Sequence, residues 1–147
     1  MADYFWGKIV IGGDLRRQDL PRFCEALGAE DEFELPLYME DEHIVRDDSE
    51  ACYGQFEDLE DACRELGLPY TRQSDGKYEF SPEIVLWLPG MDEPRHVVTD
   101  HDGSMQVAMD DVRELRDLLR TGDLAKALSL AEEAVVDLPP LPPFRIV

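Results

Sequence analysis

Lysine is nearly absent. The 147 residues hold three, Lys8, Lys77 and Lys126, beside eleven arginines and 34 acids, and the formal net charge is −20 at pH 7. That surplus repels phosphate backbones and anionic membranes, so direct binding to either is disfavoured and a cationic partner is favoured. High salt in the host, or selection for solubility alone, would give the same balance. Cysteine is scarce as well. Cys24, Cys52 and Cys63 are odd in number and have no CxxC spacing, which argues against a disulfide framework. Long apolar runs are missing: the longest, Ile84 to Leu88, falls far short of the ~20 residues that span a bilayer. Met1-Ala2-Asp3-Tyr4 lacks the basic and apolar regions of a signal peptide, so the expected compartment is the cytoplasm.

Catalytic signatures are missing too. There is no GxSxG, GxGxxG or GxxxxGK[ST], and Asp14 directly after Gly12-Gly13 would repel a phosphate. His96, Asp100, His101 and Asp102 offer metal-ligand chemistry, but no two imidazoles are set at helical or strand spacing. If that segment is a hairpin, Asp100 and Asp102 serve the turn instead. His43 lies among acids and would pair with a carboxylate. No cofactor, metal or catalytic residue is therefore expected.

What remains describes an α+β fold. Tyr4 to Gly13 reads as a largely buried strand. Leu20, Phe23, Cys24 and Leu27 mark one face of a helix with Asp19 at its start and Gly28 at its end. Phe33, Leu35, Leu37 and Met39 alternate as in a strand with one buried face, with Pro36 suggesting an edge. A second helix carries Phe56, Leu59, Cys63 and Leu66 and ends at Gly67. Both helices read D-L-x-x-x-C-x-x-L-G, 39 residues apart. A duplicated βαβ unit, and with it a ferredoxin-like antiparallel or mixed sheet, would produce that pattern, although any two amphipathic helices ending in Leu-Gly align as well. Two hairpins are expected beyond it: Tyr70–Gln73 with Tyr78–Ser81, and His96–Thr99 with Met105–Ala108, separated by a strand from Glu83 to Leu88. Residues 1–109 would form the α+β domain and residues 110–137 an αα-hairpin packed on it. Its two stripes, from Val112 to Leu119 and from Leu124 to Val135, would be core. Residues 138–147 begin LPPLPP, an extended tail that would dock on a partner or strap across the domain itself.

One stretch stands out. Glu30 to Asp61 holds fourteen acids, with Arg46 as its single Lys or Arg. Acids at the start of the second helix suit its dipole, so the better candidates for a partner surface are Glu40, Asp41, Glu42, Asp47, Asp48 and Glu50, with Tyr38 and Tyr53 as aromatic anchors. Carboxylates at such density can take the place of phosphates in a basic groove. In size, charge and lack of a catalytic motif the sequence is similar to small acidic nucleic-acid mimics, the anti-restriction and anti-CRISPR proteins of phages and plasmids. That likeness is one of class and rests on no family motif. It implies a non-enzymatic inhibitor of a basic, nucleic-acid-binding protein. Other readings are an immunity or antitoxin-like protein covering a cationic enzyme, a metal-dependent or cysteine enzyme using His96, His101 or a thiol, and a structural domain with an acidic surface.

Overall fold

The computed structural model describes residues 3–76 and 80–147. Its centre is β1, Tyr4–Ile11, whose aromatic and β-branched residues bury alternate side chains such as Ile9 and Ile11. A short β2, Gly13–Leu15, follows. Helix α1, Leu20–Leu27, buries Leu20, Phe23, Cys24 and Leu27 as one stripe and ends on Gly28 at φ 90°, where the Gly28 N–H closes on the Cys24 carbonyl. Then come β3, Met39–Glu40, and β4, His43–Cys52, leading to α2, Glu57–Leu66. Gly67, at φ 74°, ends α2 on the Cys63 carbonyl just as Gly28 ends α1 on Cys24. The chain continues through β5, Tyr70–Ser74, β6, Glu83–Trp87, and β7, Arg95–Val98.

These strands form a six-stranded antiparallel sheet in the order β3-β4-β1-β5-β6-β7. The fold is α+β. β4 and β5 flank β1 and are joined through α2, which is one split βαβ unit. The α1 connection is different, because it joins β1 to its direct antiparallel neighbour β4. The likeness of the two helices therefore extends to their apolar face and cap but not to their strands. Both pack on one face of the sheet, with Phe23, Leu27, Leu59 and Cys63 set against Ile9, Ile44, Tyr70 and Val85 in a single core.

Two expected elements differ. Phe33–Met39 is not a strand; Glu32–Tyr38 is a 3-10 helix. The Asp31 carboxylate accepts from the Phe33 N–H and starts the turn, and Pro36 denies a strand its ladder donor. A period of three then turns Leu35 and Tyr38 inward, while Phe33 and Leu37 are each 82% exposed. The partner of β5 is β6. The expected strand Tyr78–Ser81 lies partly outside the described residues. The second hairpin is present in outline: Thr99 bridges Met105, and Asp100 Oδ1 accepts from the N–H groups of Asp102 and Ser104. Its tip meets the loop after β5, where His101 Nδ1 lies 2.6 Å from Asp75 Oδ1.

That hydrogen bond, then the charge of Asp75, holds the His101 pKa above its ordinary value of 6.5. The pair is complete below that value and is lost as pH rises through the raised folded pKa. An NMR titration of His101 should give a pKa above 6.5, and Asp75→Asn should lower it; an unshifted wild-type value would contradict the contact.

The C-terminal part holds α3, Met109–Arg120, α4, Leu124–Ala134, and β8, Phe144–Ile146. The hairpin of α3 and α4 forms as expected, with the Asp123 side chain capping α4. Its stripes are not core. Ala127 is its one buried residue among those described, and Val112, Leu119, Leu124, Leu128 and Val135 are exposed. The cause is geometric: α1 and α2 already cover the main core face, and the hairpin meets the rest of the chain at the β7 edge, where Arg95 Nη2 donates to the Glu133 carbonyl at 3.3 Å. The tail does strap the domain. Phe144 stacks on Phe23 with centroids 5.5 Å apart, β8 pairs in parallel with β2, and His43 Nε2 donates to the Leu141 carbonyl at 3.0 Å. His43 thus meets a carbonyl, not the carboxylate expected for it.

Candidate functional site

The eight expected partner-binding residues do not form one patch. Glu40, Asp41 and Glu42 make the tip of the β3–β4 hairpin, with Asp41 and Glu42 at φ 49° and 68°. Two adjacent left-handed residues are what a two-residue turn between twisted strands requires, though Asn-Gly is the usual choice. The Glu42 carbonyl is held by the Phe144 N–H at 2.8 Å, so the strap braces this turn. Asp48 and Glu50 lie at the other end of β4, about 20–26 Å from Glu42 at ~3.3 Å per residue. There the Asp48 carboxylate accepts from the Glu50 N–H. Asp47 faces the opposite side of the sheet and accepts from Trp6 Nε1 at 2.8 Å. Tyr38 packs against the core, and Tyr53 packs at a tilt against Phe80 with centroids 5.2 Å apart.

A different surface assembles in the same acidic stretch. Between α1 and the Glu32–Tyr38 turn lies an open groove of about 750 Å³. Its floor is apolar, formed by Leu20, Pro21, Cys24 and Ala29, and Phe33 stands on its wall. Glu25, Glu30, Asp31 and Glu32 rim it, with Arg17 as the one cation, tied to Glu32 at 3.2 Å. The local field reads out on a thiol: burial, then the carboxylates of Asp31, Glu32 and Glu34, raises the pKa of Cys24. The thiol therefore stays protonated, which suits a floor residue and not a nucleophile. Leu37 and Met39 are exposed just beyond Phe33, and the hairpin-tip acids follow in the chain.

The sequence hides this groove because its parts come from two segments and the alternation of its wall residues has the period of a strand. The available signal was Pro36, together with Asp31 placed two residues before Phe33 as a cap.

A second cavity, about 480 Å³, opens at the flank of α2 and is lined by Asp61, Asp92, Glu93 and His96 among others. At its base sits a buried charge network. Arg72, 2% exposed, donates from Nε to Glu60 Oε1 at 2.9 Å, from Nη1 to Ser74 Oγ at 2.6 Å and from Nη2 to Glu83 Oε1 at 3.1 Å. The other Glu60 oxygen accepts from the Phe56 N–H, and His96 Nδ1 donates to Glu83 Oε2 at 3.0 Å. Each of the three guanidinium nitrogens donates, so the network pins α2 to β5 and β6. Beside it, burial and then the Glu60 charge push the Tyr70 phenol up to about 12, so Tyr70 remains a neutral core residue. His96 and His101 each engage a carboxylate from a different segment, and among the described residues no three His, Cys, Asp or Glu side chains gather in metal-binding geometry.

Comparison with protein-family models, curated proteins and solved structures returns no match. The reading of function therefore rests on the surfaces themselves.

Proposed function

We propose that the chain is a non-enzymatic acidic binding protein that engages a basic, nucleic-acid-binding protein and competes with its nucleic acid. The observation that carries the reading is the groove between α1 and the Glu32–Tyr38 turn, with an apolar floor, an exposed Phe33 and Leu37, and four carboxylates at the rim. Protein interfaces combine a desolvated apolar centre containing aromatic anchors with a polar rim. Here the rim is almost entirely anionic, so the complementary surface presents Arg or Lys around an apolar protrusion. A mere solubility surface has no use for a phenylalanine left 82% exposed in its midst.

The binding surface thus shifts from the hairpin tip toward Glu25, Glu30, Asp31 and Glu32. The tip acids Glu40, Asp41 and Glu42 extend it, whereas Asp47, Asp48, Glu50 and Tyr53 lie elsewhere.

The test is capture of heparin-retained host proteins on the immobilised chain, with salt and duplex DNA as eluants. A partner should be retained at 50 mM salt, released by 500 mM salt, and displaced by DNA. Phe33→Ser/Leu37→Ser and Glu25→Gln/Glu30→Gln should each reduce retention at least tenfold, with thermal unfolding unchanged because these side chains lie at the surface. Retention that is indifferent to DNA, or to both variants, would sink the proposal.

A further inference from the structure

We propose that the cavity between the Tyr53–Gly54 turn and the start of β6 binds a quaternary ammonium head group. This inference does not depend on the groove between α1 and the Glu32–Tyr38 turn. Three aromatic rings line one cavity of about 300 Å³: Phe5 from the start of β1, Tyr53 from the turn after β4, and Phe80 from the segment before β6. Phe80 touches both of the others. Its centroid lies 5.9 Å from that of Phe5 and 5.2 Å from that of Tyr53, with the planes tilted by 41° and 49°. The rings thus form a bent row and not a flat stack. The backbone at Tyr53 is a further sign. Tyr53 and Gly54 lie at φ 55° and 64°, a left-handed pair that Asn-Gly fills at least cost. A bulky tyrosine there is a strained choice, and strain of this kind gathers at binding sites.

Charge selects a cation. Among the described residues that line the cavity, none is Lys or Arg, and Glu83 is the one carboxylate. Arg72 lies behind Ser74, but two carboxylates answer it, Glu60 at 2.9 Å and Glu83 at 3.1 Å. With His96 neutral, these three groups hold one formal negative charge in excess. The ring faces add their own negative potential. The kind of cation follows from the acceptors. Glu83 Oε1 already accepts from Arg72, Glu83 Oε2 from His96, and Ser74 Oγ from Arg72. A bare ammonium or a guanidinium entering here would bring three to five N–H donors to acceptors that are already engaged. A quaternary ammonium brings none. Its charge is spread over methyl groups that pack on aromatic rings, the pairing by which such head groups are recognised. The head group can belong to a free small molecule or to a trimethylated lysine of a protein, and the chemistry of the cavity is the same for both.

Proton NMR of the full chain tests this with choline, its neutral isostere 3,3-dimethylbutan-1-ol, and a trimethyllysine peptide beside its unmodified form. The N-methyl protons should show nuclear Overhauser contacts to the Tyr53 and Phe80 rings, and the isostere should bind about tenfold more weakly than choline. Tyr53→Leu and Phe80→Leu should each weaken choline binding about tenfold, and Tyr53→Phe should retain it, because the ring and not the hydroxyl is required. The Overhauser contacts locate the site in the wild-type chain, so the test stands even where a leucine variant fails to fold. A methylated peptide that binds at least tenfold more tightly than choline assigns the site to a protein side chain, and one that binds no better assigns it to a free small molecule. The proposal is overturned if neither choline nor the methylated peptide contacts Tyr53 and Phe80 at about 20 mM. It is overturned as well if the isostere equals choline, or if the unmodified peptide equals the methylated one.

Discussion

Replacing Arg72 with alanine is expected to destabilise the fold by about 3–5 kcal/mol, the range seen when one partner of a buried ion pair is removed. The side chains of Arg72 and Glu60 are 2% and 8% exposed, so solvent screens neither. Removing the guanidinium leaves the Glu60 carboxylate buried with one remaining donor, the Phe56 N–H at 2.9 Å. Glu83 loses its link to β5 and keeps His96. Ser74 Oγ and the Gly54 carbonyl lose the donor they share. Arg72→Lys should recover little, because the three N–H bonds of an ammonium radiate from one atom and cannot reach acceptors spread around the three nitrogens of the guanidinium. The double change Arg72→Met/Glu60→Met should cost much less than the sum of the single changes, since it removes both charges together. Urea unfolding of the four variants measures the cycle. A cost below 1 kcal/mol for Arg72→Ala would mean that water reaches the network and that it does not pin α2.

The second large effect is expected at the strap. Phe144→Ala should cost about 3–5 kcal/mol, as for other buried phenylalanines, because Phe144 is stacked on Phe23 within the core. Gly12→Ala should act on the same element without touching it chemically. A Cβ at Gly12 would stand 2.0 Å from the Pro142 carbonyl oxygen, which is backbone and has no side chain to swing aside. The tail must then leave its seat, and with it the hydrogen bonds from Gly13 N to Pro142 and Pro143 and from Phe144 N to Glu42. Both variants should open residues 138–143 to limited proteolysis and lower the urea midpoint. A Gly12→Ala protein as stable and protease-resistant as wild type would show that the strap is not seated as described.

Local chemistry was well marked in the chain. The stripe of α1, its Gly28 cap, the matching Gly67 cap and the loop between α3 and α4 are each specified within ten or so residues, and helix ends depend on little else. The Glu32–Tyr38 turn misled because Phe33, Leu35, Leu37 and Met39 alternate cleanly, while the deciding information was one proline and one capping aspartate. The stripes of α3 and α4 had the right period, but periodicity reports an apolar face and not what covers it. The acidic stretch was legible as density and illegible as a surface. Glu60 folds inward to Arg72, Asp47 accepts from Trp6 at the surface, and Asp48 lies a strand's length from Glu42. Those partners are fixed by strand register and helix placement, which no short window contains.

The parallel pairing of Gly13 with Phe144 sets an order of assembly. A ribosome delivers residue 13 long before residue 144, so the first strands and α1 emerge while one wall of their core is still unmade. In that interval Phe23 lacks its stacking partner, the β3–β4 turn lacks the N–H that braces Glu42, and the Gly13 N–H lacks its acceptors. Pairing Gly13 with Phe144 closes a loop that runs from residue 13 to residue 144, an entropic cost that falls late and slows closure. The nascent protein is thus a docked sheet awaiting its latch, most vulnerable to proteases and to aggregation until residues 142–147 have been made.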